Sequence, residues 1–306
     1  MLYLHSLEEA SEVFKALSTP VRIKIMEMIY EDKNLSMNDL AEALGVTNSA
    51  ISMHVSKLEE AGLVNIVTTS GKRGVMKIVR PRFNRLIVDM GGEIYQPSNC
   101  YEDEIPVGYF CKADVHPTCG LATKSNIIGE LDNPRIFTYP EKYQADILWI
   151  GYGSVSYQLP NRLKAGQTLT ELQISFEISS ECPEFNEDYP SDIYFDINGI
   201  QLGKWISPGD YGGRPGLVSP PWWPDKLNQY GLLKTILINE SGTYMDGNYQ
   251  LSSTSISDLK LDYNSECIFT FSVPKDTANC GGLTIFGKTF GDYGQNIIVK
   301  AYYSEK

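Results

Sequence analysis

The stretch LAEALGVTNSAISMHVSKLEEAGLV, residues 40–64, decides the fold of the N-terminal part of the chain. Gly45 suits the left-handed residue that ends a short helix, and Thr47 is a suitable N-cap for a second helix. That second helix is predicted to end at Gly62. Because only a tight turn separates the two helices, the segment predicts a helix-turn-helix.

The second helix of this motif has an outer face of small polar residues. Ile51, Val55 and Leu58 recur at helical spacing and predict the buried face. The opposite face lacks the Glu and Lys residues that are usual on a surface helix, so it can enter a DNA major groove without repelling phosphate. The alternative is an ordinary exposed helix that is rich in serine. The residues predicted to contact DNA from this helix are Thr47, Asn48, Ser49, Ser52, Met53 and Ser56.

A basic hairpin follows the second helix. Residues 64–69 and 75–80 are β-prone runs joined by a short segment that has glycine on both sides of Lys72 and Arg73. The hairpin predicts a wing in which these two side chains contact phosphates and position the helix without reading the base sequence. A last short helix is predicted at residues 82–90.

Helix signals also precede the motif. Thr19 followed by Pro20 is a cap and a proline at the first helical position, which predicts the start of a helix. Ser36 and Asp39 have the spacing of a capping box, which predicts the start of the next helix.

Residues 5–90 resemble the ArsR-type winged-helix transcriptional regulators. Residues 40–64 are similar to the helix-turn-helix of that family, and ALSTPVRIKIMEMI, residues 16–29, is similar to its preceding helix, including an S-x-P-x-R pattern. The resemblance implies a DNA-binding regulator that forms a homodimer through its first and last helices. It also implies two recognition helices on a near-palindromic operator.

Metal sensing, which is known for members of that family, does not carry over from the resemblance. Residues 37–44 contain neither Cys nor His, and residues 82–90 offer only Asp89. No metal site and no cofactor are therefore predicted.

A different metal or redox hypothesis uses Cys111, His116 and Cys119, with Asp114 between them. Two thiols, an imidazole and a carboxylate can hold zinc, although this spacing matches no standard C-x₂₋₄-C pattern. The alternative is that the cysteines are buried and the histidine is exposed.

The chain divides by composition. Residues 1–90 have equal numbers of basic and acidic residues, whereas residues 91–306 carry the whole net charge of -12 and all four Trp. This difference predicts two domains of different fold class. The helix-turn-helix domain occupies residues 1–90, a linker with Gly, Pro and acidic residues occupies 91–106, and the second domain occupies 107–306.

Neither a membrane segment nor a secretory signal is expected. No apolar run approaches the ~20 residues that a membrane span needs. The first residues carry acids where a signal peptide carries a basic region and an apolar stretch. A cytoplasmic protein without membrane contact, whose six cysteines are thiols, is therefore expected.

Strand patterns dominate the second domain. Residues 172–178 and 192–197 alternate between apolar and polar side chains, and Asn198-Gly199 and Asp246-Gly247 are hairpin signals. About ten strands without a long amphipathic helix predict an antiparallel two-sheet β-sandwich, similar to a jelly roll. The predicted fold class is therefore α+β, with two domains.

The segment SPGDYGGRPGLVSPPWWP, residues 207–224, is the candidate ligand site. Loops of this length are typically functional or disordered, and the Trp pair disfavours disorder. Aromatic faces beside Asp and Arg suit a pyranose ring, since its C–H face stacks on the rings and its hydroxyls pair with the charged groups. The alternative is that the rings belong to the core. The residues predicted to bind a small polar ligand, a sugar, are Trp205, Asp210, Tyr211, Arg214, Trp222 and Trp223.

The second domain contains two further patterns. The tetrapeptide Gly-Asp-Tyr-Gly occurs at residues 209–212 and again at 291–294, either by coincidence or as a pair. Asp192 and Asp196 lie four apart on one predicted strand and have the same-side placement of a glycosidase carboxylate pair. A fused DNA-binding domain favours sensing over turnover, so no enzyme is predicted. An alternative role for the sandwich is protein–protein assembly without a ligand.

Overall fold

The computed structural model describes residues 2–4, 6–32, 35–71, 74–83, 86–88 and 99–305. The chain forms two compact units, which divide between Pro97 and Ser98. Within the described residues, no helix is long and apolar enough to span a membrane.

The described part of the N-terminal unit contains four helices and four strands. The helices are α1 (Leu7–Leu17), α2 (Pro20–Glu31), α3 (Met37–Leu44) and α4 (Asn48–Glu60). The strands are β1 (Leu2–Leu4), β2 (Val64–Gly71), β3 (Gly74–Pro81) and β4 (Leu86–Val88). Strands β2 and β3 pair as an antiparallel hairpin from Val64 opposite Pro81 to Gly71 opposite Gly74.

The helix ends follow their capping residues. The Ser36 side chain accepts the N–H of Asp39, and the Asp39 carboxylate accepts the N–H of Ser36 at 2.8 Å, so the predicted capping box is confirmed. Gly45 ends α3 at a φ of 64°, the left-handed conformation that glycine adopts without strain. Arg22, from the S-x-P-x-R pattern, donates to the Lys15 carbonyl at 2.8 Å and so satisfies the end of α1.

The last described segment of the N-terminal unit is a strand, Leu86–Val88, where the sequence predicted part of a helix at residues 82–90. These three residues pair in parallel with Leu2–Leu4. Ile87 and Val88 are β-branched, which favours extended backbone, and β1 supplies the hydrogen-bonding partner. The helix that the resemblance implied for one half of a dimer interface is therefore replaced here by a strand.

The described part of the C-terminal unit contains twelve strands. They are β5 (Asn99–Ile105), β6 (Lys112–Ala122), β7 (Ile147–Leu159), β8 (Gln167–Ser179), β9 (Ser191–Ile197), β10 (Ile200–Ser207), β11 (Leu232–Asn239), β12 (Gly242–Met245), β13 (Tyr249–Ser252), β14 (Cys267–Val273), β15 (Leu283–Phe286) and β16 (Ile297–Glu305). Short 3-10 helices lie at Val107–Tyr109, Pro134–Thr138, Pro140–Gln144 and Ser257–Leu259.

These strands pair into one antiparallel sheet. Its order is β10-β9-β14-β7-β15-β8-β11-β12-β13, with β6 on β7, β16 on β8 and β5 on β16. The two ends of this order approach each other, because the Ser252 hydroxyl donates to the Leu202 carbonyl at 2.8 Å and the Thr254 hydroxyl to the Gln201 carbonyl at 3.0 Å. The β-rich class is confirmed, whereas the sheet is nearly barrel-shaped and the two-sheet jelly roll is not confirmed.

Strand β5 occupies residues that the sequence predicted as the end of the linker. Residues 91–98 of that linker lie outside the described residues. The acidic residues that suggested a linker are instead paired with basic residues of the same unit: Glu102 with Lys300 at 3.2 Å and Asp103 with Arg162 at 2.5 Å. Glu102 and Lys300 are directly opposite on β5 and β16, and such a cross-strand pair stabilises an edge strand in spite of its polar composition.

The sheet has an inner face that packs into the main core and an outer face that turns away from it. The main core contains Phe176, Phe195, Phe269 and Phe271. A second, outer cluster contains Ala122, Ile147, Trp149, Trp223, Phe286 and Phe290. Residues 208–231, called the covering loop here, contribute Trp223 to this outer cluster.

The predicted hairpin turns are confirmed. Asn198 and Gly199 connect β9 to β10 with φ of 51° and 79°, and Asp246 and Gly247 connect β12 to β13 with φ of 54° and 79°. Both residues of each pair are left-handed; Asn198-Gly199 is a two-residue turn, whereas the connection from β12 to β13 has three residues, 246–248.

Candidate functional site

Helix α4 presents an uncharged polar face. Ile51, Val55 and Leu58 are fully buried, so they fix the rotation of the helix. Thr47 caps the helix by accepting the N–H of Ala50 at 3.2 Å. The six residues predicted to contact DNA are all exposed: Thr47, Asn48, Ser49, Ser52, Met53 and Ser56.

The chemistry of this face fits a base-reading surface. Met53, at 60% exposure, is the large apolar group among five small polar side chains. Hydroxyl and amide groups form hydrogen bonds with base edges, and an apolar group contacts the thymine methyl. The nearest charged pair on the helix, Lys57 with Glu60 at 2.6 Å, lies towards its C-terminal end.

The hairpin of β2 and β3 follows α4, as a wing requires. Lys72 and Arg73 lie outside the described residues, so their phosphate contacts stay a prediction. On β3 the structure places the basic residue Lys77 at an exposed position opposite Thr68. The described strands therefore carry positive charge beside the helix-turn-helix.

In the covering loop, the two adjacent Trp residues differ in environment. Trp223 is 4% exposed, packs edge-to-face on Trp149 and Phe290, and donates from Nε1 to the Asn228 carbonyl at 2.8 Å. Trp222 is 37% exposed and donates from Nε1 to the Lys124 carbonyl at 2.6 Å. Trp223 is therefore a core residue, and only Trp222 offers a ring to solvent.

Asp210 is a buried anchor of the same loop. Its Oδ2 accepts the N–H of Cys182 at 3.1 Å, and the residue has no exposed surface. Burial raises the pKa of Asp210 to about 7. In this conformation Asp210 fastens the loop and is not accessible to a ligand.

Tyr211 and Arg214 come together with Tyr230 and Asp292, which are not among the predicted ligand-binding residues. The Arg214 guanidinium lies 3.8 Å from the centroid of the Tyr230 ring and forms two hydrogen bonds with Asp292, at 2.9 and 2.5 Å. The Tyr211 ring stacks on the Tyr230 ring, with the two ring centroids 5.4 Å apart. The charge of Arg214 is thus satisfied inside the protein.

The two Gly-Asp-Tyr-Gly tetrapeptides lie on segments that meet. Asp292 of the second tetrapeptide binds Arg214, which follows the first, and its N–H donates to Glu177 of β8 at 2.8 Å. Burial and the charge of Asp292 raise the pKa of Glu177 to about 8. The second segment therefore serves to fasten the covering loop to the sheet.

Trp205 lies apart from these residues. It stands on β10 opposite Ile193 and packs against the main core, with the Lys234 ammonium 4.9 Å from its ring centroid. The other five residues of the predicted sugar site belong to the covering loop, which packs on the outer face. The six residues consequently do not form one surface.

The metal or redox hypothesis gains no support. Cys119 is fully buried, and burial raises the pKa of its thiol to about 12. Cys111 is exposed and donates to the Ser156 carbonyl at 3.3 Å, while His116 stacks on Tyr152 at 4.2 Å. In the part of the chain that the structure describes, no group of three or more His, Cys, Asp or Glu residues is arranged to hold a metal ion.

Asp192 and Asp196 share a strand face but have different roles. Asp192 is fully buried and pairs with Lys204 at 3.0 Å. Although burial alone raises its pKa, hydrogen bonds from Asn279, Lys204 and Thr277 bring the pKa of Asp192 below its usual value. Asp196 is partly exposed, and burial raises its pKa despite a hydrogen bond from the N–H of Gly199.

Sequence reasoning missed a cavity on the outer face. It has a volume of about 460 Å³ and lies over β9, β10 and β14. Its lining residues are Tyr194, Phe195, Asp196, Gly199, Gln201, Ser272, Pro274, Asp276 and Thr277. The polar alternation of β9 was visible in the sequence, but the pairing of β9 with β14 was not.

The architecture of the N-terminal unit, a helix-turn-helix followed by a β-hairpin, is that of winged-helix DNA-binding domains. Residues 19–65 match the family described as bacterial regulatory protein, arsR family, in agreement with the resemblance found in the sequence. The transcriptional repressor PagR of Bacillus anthracis is 32% identical over 53 residues, which are 17% of this chain and 54% of that protein. The chain thus spans about half the length of this curated relative. The family match lies within the N-terminal unit.

Proposed function

We propose that the protein is a DNA-binding transcriptional regulator that reads an operator with α4. The observation that carries this proposal is the uncharged, exposed face of the helix, held in place by the buried Ile51, Val55 and Leu58. A helix with this face enters a major groove without repelling phosphate, and its hydroxyl and amide groups meet the base edges. The arsR-family match of residues 19–65 supports the proposal.

The hairpin and a second copy of the chain complete the proposed DNA complex. Lys72 and Arg73 contact phosphates beside the groove. A homodimer places two α4 helices on a near-palindromic operator. Supporting evidence for a dimer surface is the exposure of Leu7 and Phe14, at 51% and 44%, which lie two turns apart on α1.

The C-terminal unit is proposed to sense a small polar ligand, of the sugar class, and to change the DNA affinity when that ligand binds. The cavity over β9, β10 and β14 supports a binding role, because its volume falls in the range of small-molecule sites. Since the proposed partner is an operator, the proposed compartment is the cytoplasm, and no catalytic role is proposed.

The test is selection of binding sites from a pool of random DNA duplexes, followed by fluorescence anisotropy and light scattering on the selected site. The full chain is expected to enrich a near-palindromic sequence and to bind it as two copies. Ser52→Asp places a carboxylate on the groove face and is expected to weaken binding about tenfold or more. Ser253→Asp adds the same charge at an exposed site of the C-terminal unit and is the matched control.

Two outcomes contradict the proposal. One is a selection that enriches no sequence. The other is equal DNA affinity of Ser52→Asp and Ser253→Asp, which would mean that α4 does not lie in the groove.

A further inference from the structure

The outer face of the C-terminal sheet has a covered part and an open part. The covered part lies under the covering loop, where Glu177 of β8 accepts the N–H groups of Gly231, Asp292 and Tyr293 at 2.8 to 3.1 Å. The open part comprises β10, β9 and β14 with residues 153–159 of β7 and 112–116 of β6, and the cavity of about 460 Å³ lies on it.

Strand register aligns polar side chains in two rows across this open part. Phe195, Phe271 and Val155 point into the main core, so their neighbours along each strand point outward. The first row is Lys204, Tyr194, Ser272, Ser154 and Asp114, and the second is Gln201, Asp196, Thr270, Ser156 and Lys112. With five strands spaced about 4.8 Å apart, each row extends about 19 Å.

The centre of both rows is made of short hydroxyl side chains. Ser272, Ser154, Thr270 and Ser156 occupy it, and two of them bond each other at 3.0 Å, Ser156 to Thr270. This strip of short side chains, called the groove here, adjoins the cavity at Ser272.

The cavity wall is held in a fixed arrangement. The Tyr194 hydroxyl lies 3.2 Å from that of Thr277, which donates to the buried Asp192 at 2.8 Å. Asp192 also accepts from Asn279 at 2.9 Å. Because this network is anchored on a fully buried carboxylate, the Tyr194 ring needs little ordering when a ligand binds.

Hydrogen-bonding groups of the lining remain available for a ligand. Oδ1 of Asp196 accepts the N–H of Gly199 at 3.0 Å, while its Oδ2 has no hydrogen-bond partner among the described residues. The amide of Gln201 and the hydroxyl of Ser272 also line the cavity. Apolar surface comes from Tyr194 and Pro274.

We propose that this cavity and the groove beyond it bind a neutral oligosaccharide. Sugar hydroxyls can donate to Asp196 and Asp276 and exchange hydrogen bonds with Gln201 and Ser272, while C–H groups lie on the apolar surface. The proposal deepens the sensing role proposed above, on which it rests.

Charge decides against an anionic ligand. Two carboxylates in the lining, those of Asp196 and Asp276, repel a phosphorylated or carboxylated sugar. The length of the rows favours several sugar units over a single ring.

The experiment is isothermal titration of the full chain, without DNA, against six probes at millimolar concentration. Maltohexaose, cellohexaose, xylohexaose and chitohexaose are the neutral saccharides, hexagalacturonate is the anionic comparator and spermidine the cationic one. At least one neutral saccharide is expected to bind, and hexagalacturonate is not. Absence of binding by all four neutral saccharides overturns the proposal, as does binding of spermidine alone.

Variants then locate the site with the saccharide that binds. Asp196→Asn and Gln201→Ala are each expected to weaken binding about tenfold, and Ser272→Trp, which fills the cavity, is expected to abolish it. Trp222→Ala removes an exposed ring from the covering loop and is the matched control, with binding unchanged. Loss of binding in Trp222→Ala with normal binding in Asp196→Asn would place the site in the covering loop and reject the proposal.

Measuring the affinity for the selected operator with and without the saccharide tests the binding site and the regulatory role independently. A saccharide that binds as expected but leaves the DNA affinity unchanged rejects the sensing role and retains the binding site. Intact DNA binding in a chain that takes no saccharide rejects the binding site and retains the regulator. Thermal melting of each variant checks that it is folded.

Discussion

Helix α4 and the covering loop both mix polar and apolar side chains, yet their burial follows different rules. In α4 the buried residues recur with the period of the helix, so neighbours in sequence decide which face meets solvent. In the covering loop the partners are remote in sequence: Trp223 packs on Trp149, and Asp210 accepts from Cys182. A helix face is therefore specified locally, whereas a loop surface is specified by the whole unit.

Of the changes that test this difference, Trp223→Ala is expected to have the largest effect on stability. Removing a buried indole from the outer cluster should lower the free energy of unfolding of the C-terminal unit by about 3–5 kcal/mol. All four Trp residues lie after residue 91, so Trp fluorescence during urea denaturation reports on the C-terminal unit alone.

The matched change is Trp222→Ala. Its ring is partly exposed, so the cost is expected to stay near 1 kcal/mol, at the centre of ordinary point mutations. Equal losses in the two variants would contradict the difference in burial between the adjacent rings.

An intermediate effect is expected from pH, because the loop is fastened by buried carboxyl groups. The pKa of Asp210 is raised to about 7 from 3.8, and that of Glu177 to about 8 from 4.5. Both groups are protonated more readily in the folded state, so their stabilising contribution is complete below the unfolded pKa values and is lost as the pH rises through 7 and 8. The unfolding free energy of the C-terminal unit should therefore decline from the unfolded pKa values, 3.8 and 4.5, up to about pH 8.

The variant Asp210→Asn tests whether Asp210 contributes to this fall in the unfolding free energy. The amide oxygen can still accept the N–H of Cys182, while the titrating group is gone. Urea denaturation at a series of pH values should show the variant close to the parent near pH 4 and more stable than the parent above pH 7. Identical pH profiles of variant and parent would show that Asp210 does not titrate in this range.

The smallest effect is expected from changes in the wing, which should lower the affinity for all DNA sequences equally. Lys72→Ala together with Arg73→Ala should weaken specific and non-specific binding alike and reduce the salt dependence by about one slope unit per lost phosphate contact. A salt titration by fluorescence anisotropy measures the slope. An unchanged slope would leave α4 as the DNA contact without a wing.

Features with local causes were predictable from the sequence. The capping box at Ser36 and Asp39, the left-handed Gly45 and the turn at Asn198-Gly199 each depend on a few adjacent residues, and all three are present. The β-rich class of the second unit followed from alternation along single strands.

Features with remote causes were not predictable. The strand Leu86–Val88 depends on pairing with β1, and its residues were predicted as part of a helix. Strand β5 depends on pairing with β16, and its residues were predicted as part of the linker. The cavity escaped notice because Asp196 and Ser272 become neighbours only through strand pairing. The predicted sugar site failed to assemble for the same reason, since Trp205 and Trp223 lie on opposite faces of the sheet.

The position of β16 between β5 and β8 has a consequence for the order of folding. Asn296 and Glu104, hydrogen-bonded at 3.0 Å, are 192 positions apart, so the sheet closes only after most of the unit has been synthesised. The helical unit, whose contacts are mainly local, can fold while the β-rich unit is still emerging from the ribosome. A nascent chain therefore acquires its helix-turn-helix first, and until Ile297–Glu305 docks, the edges of β5 and β8 stay open to aggregation.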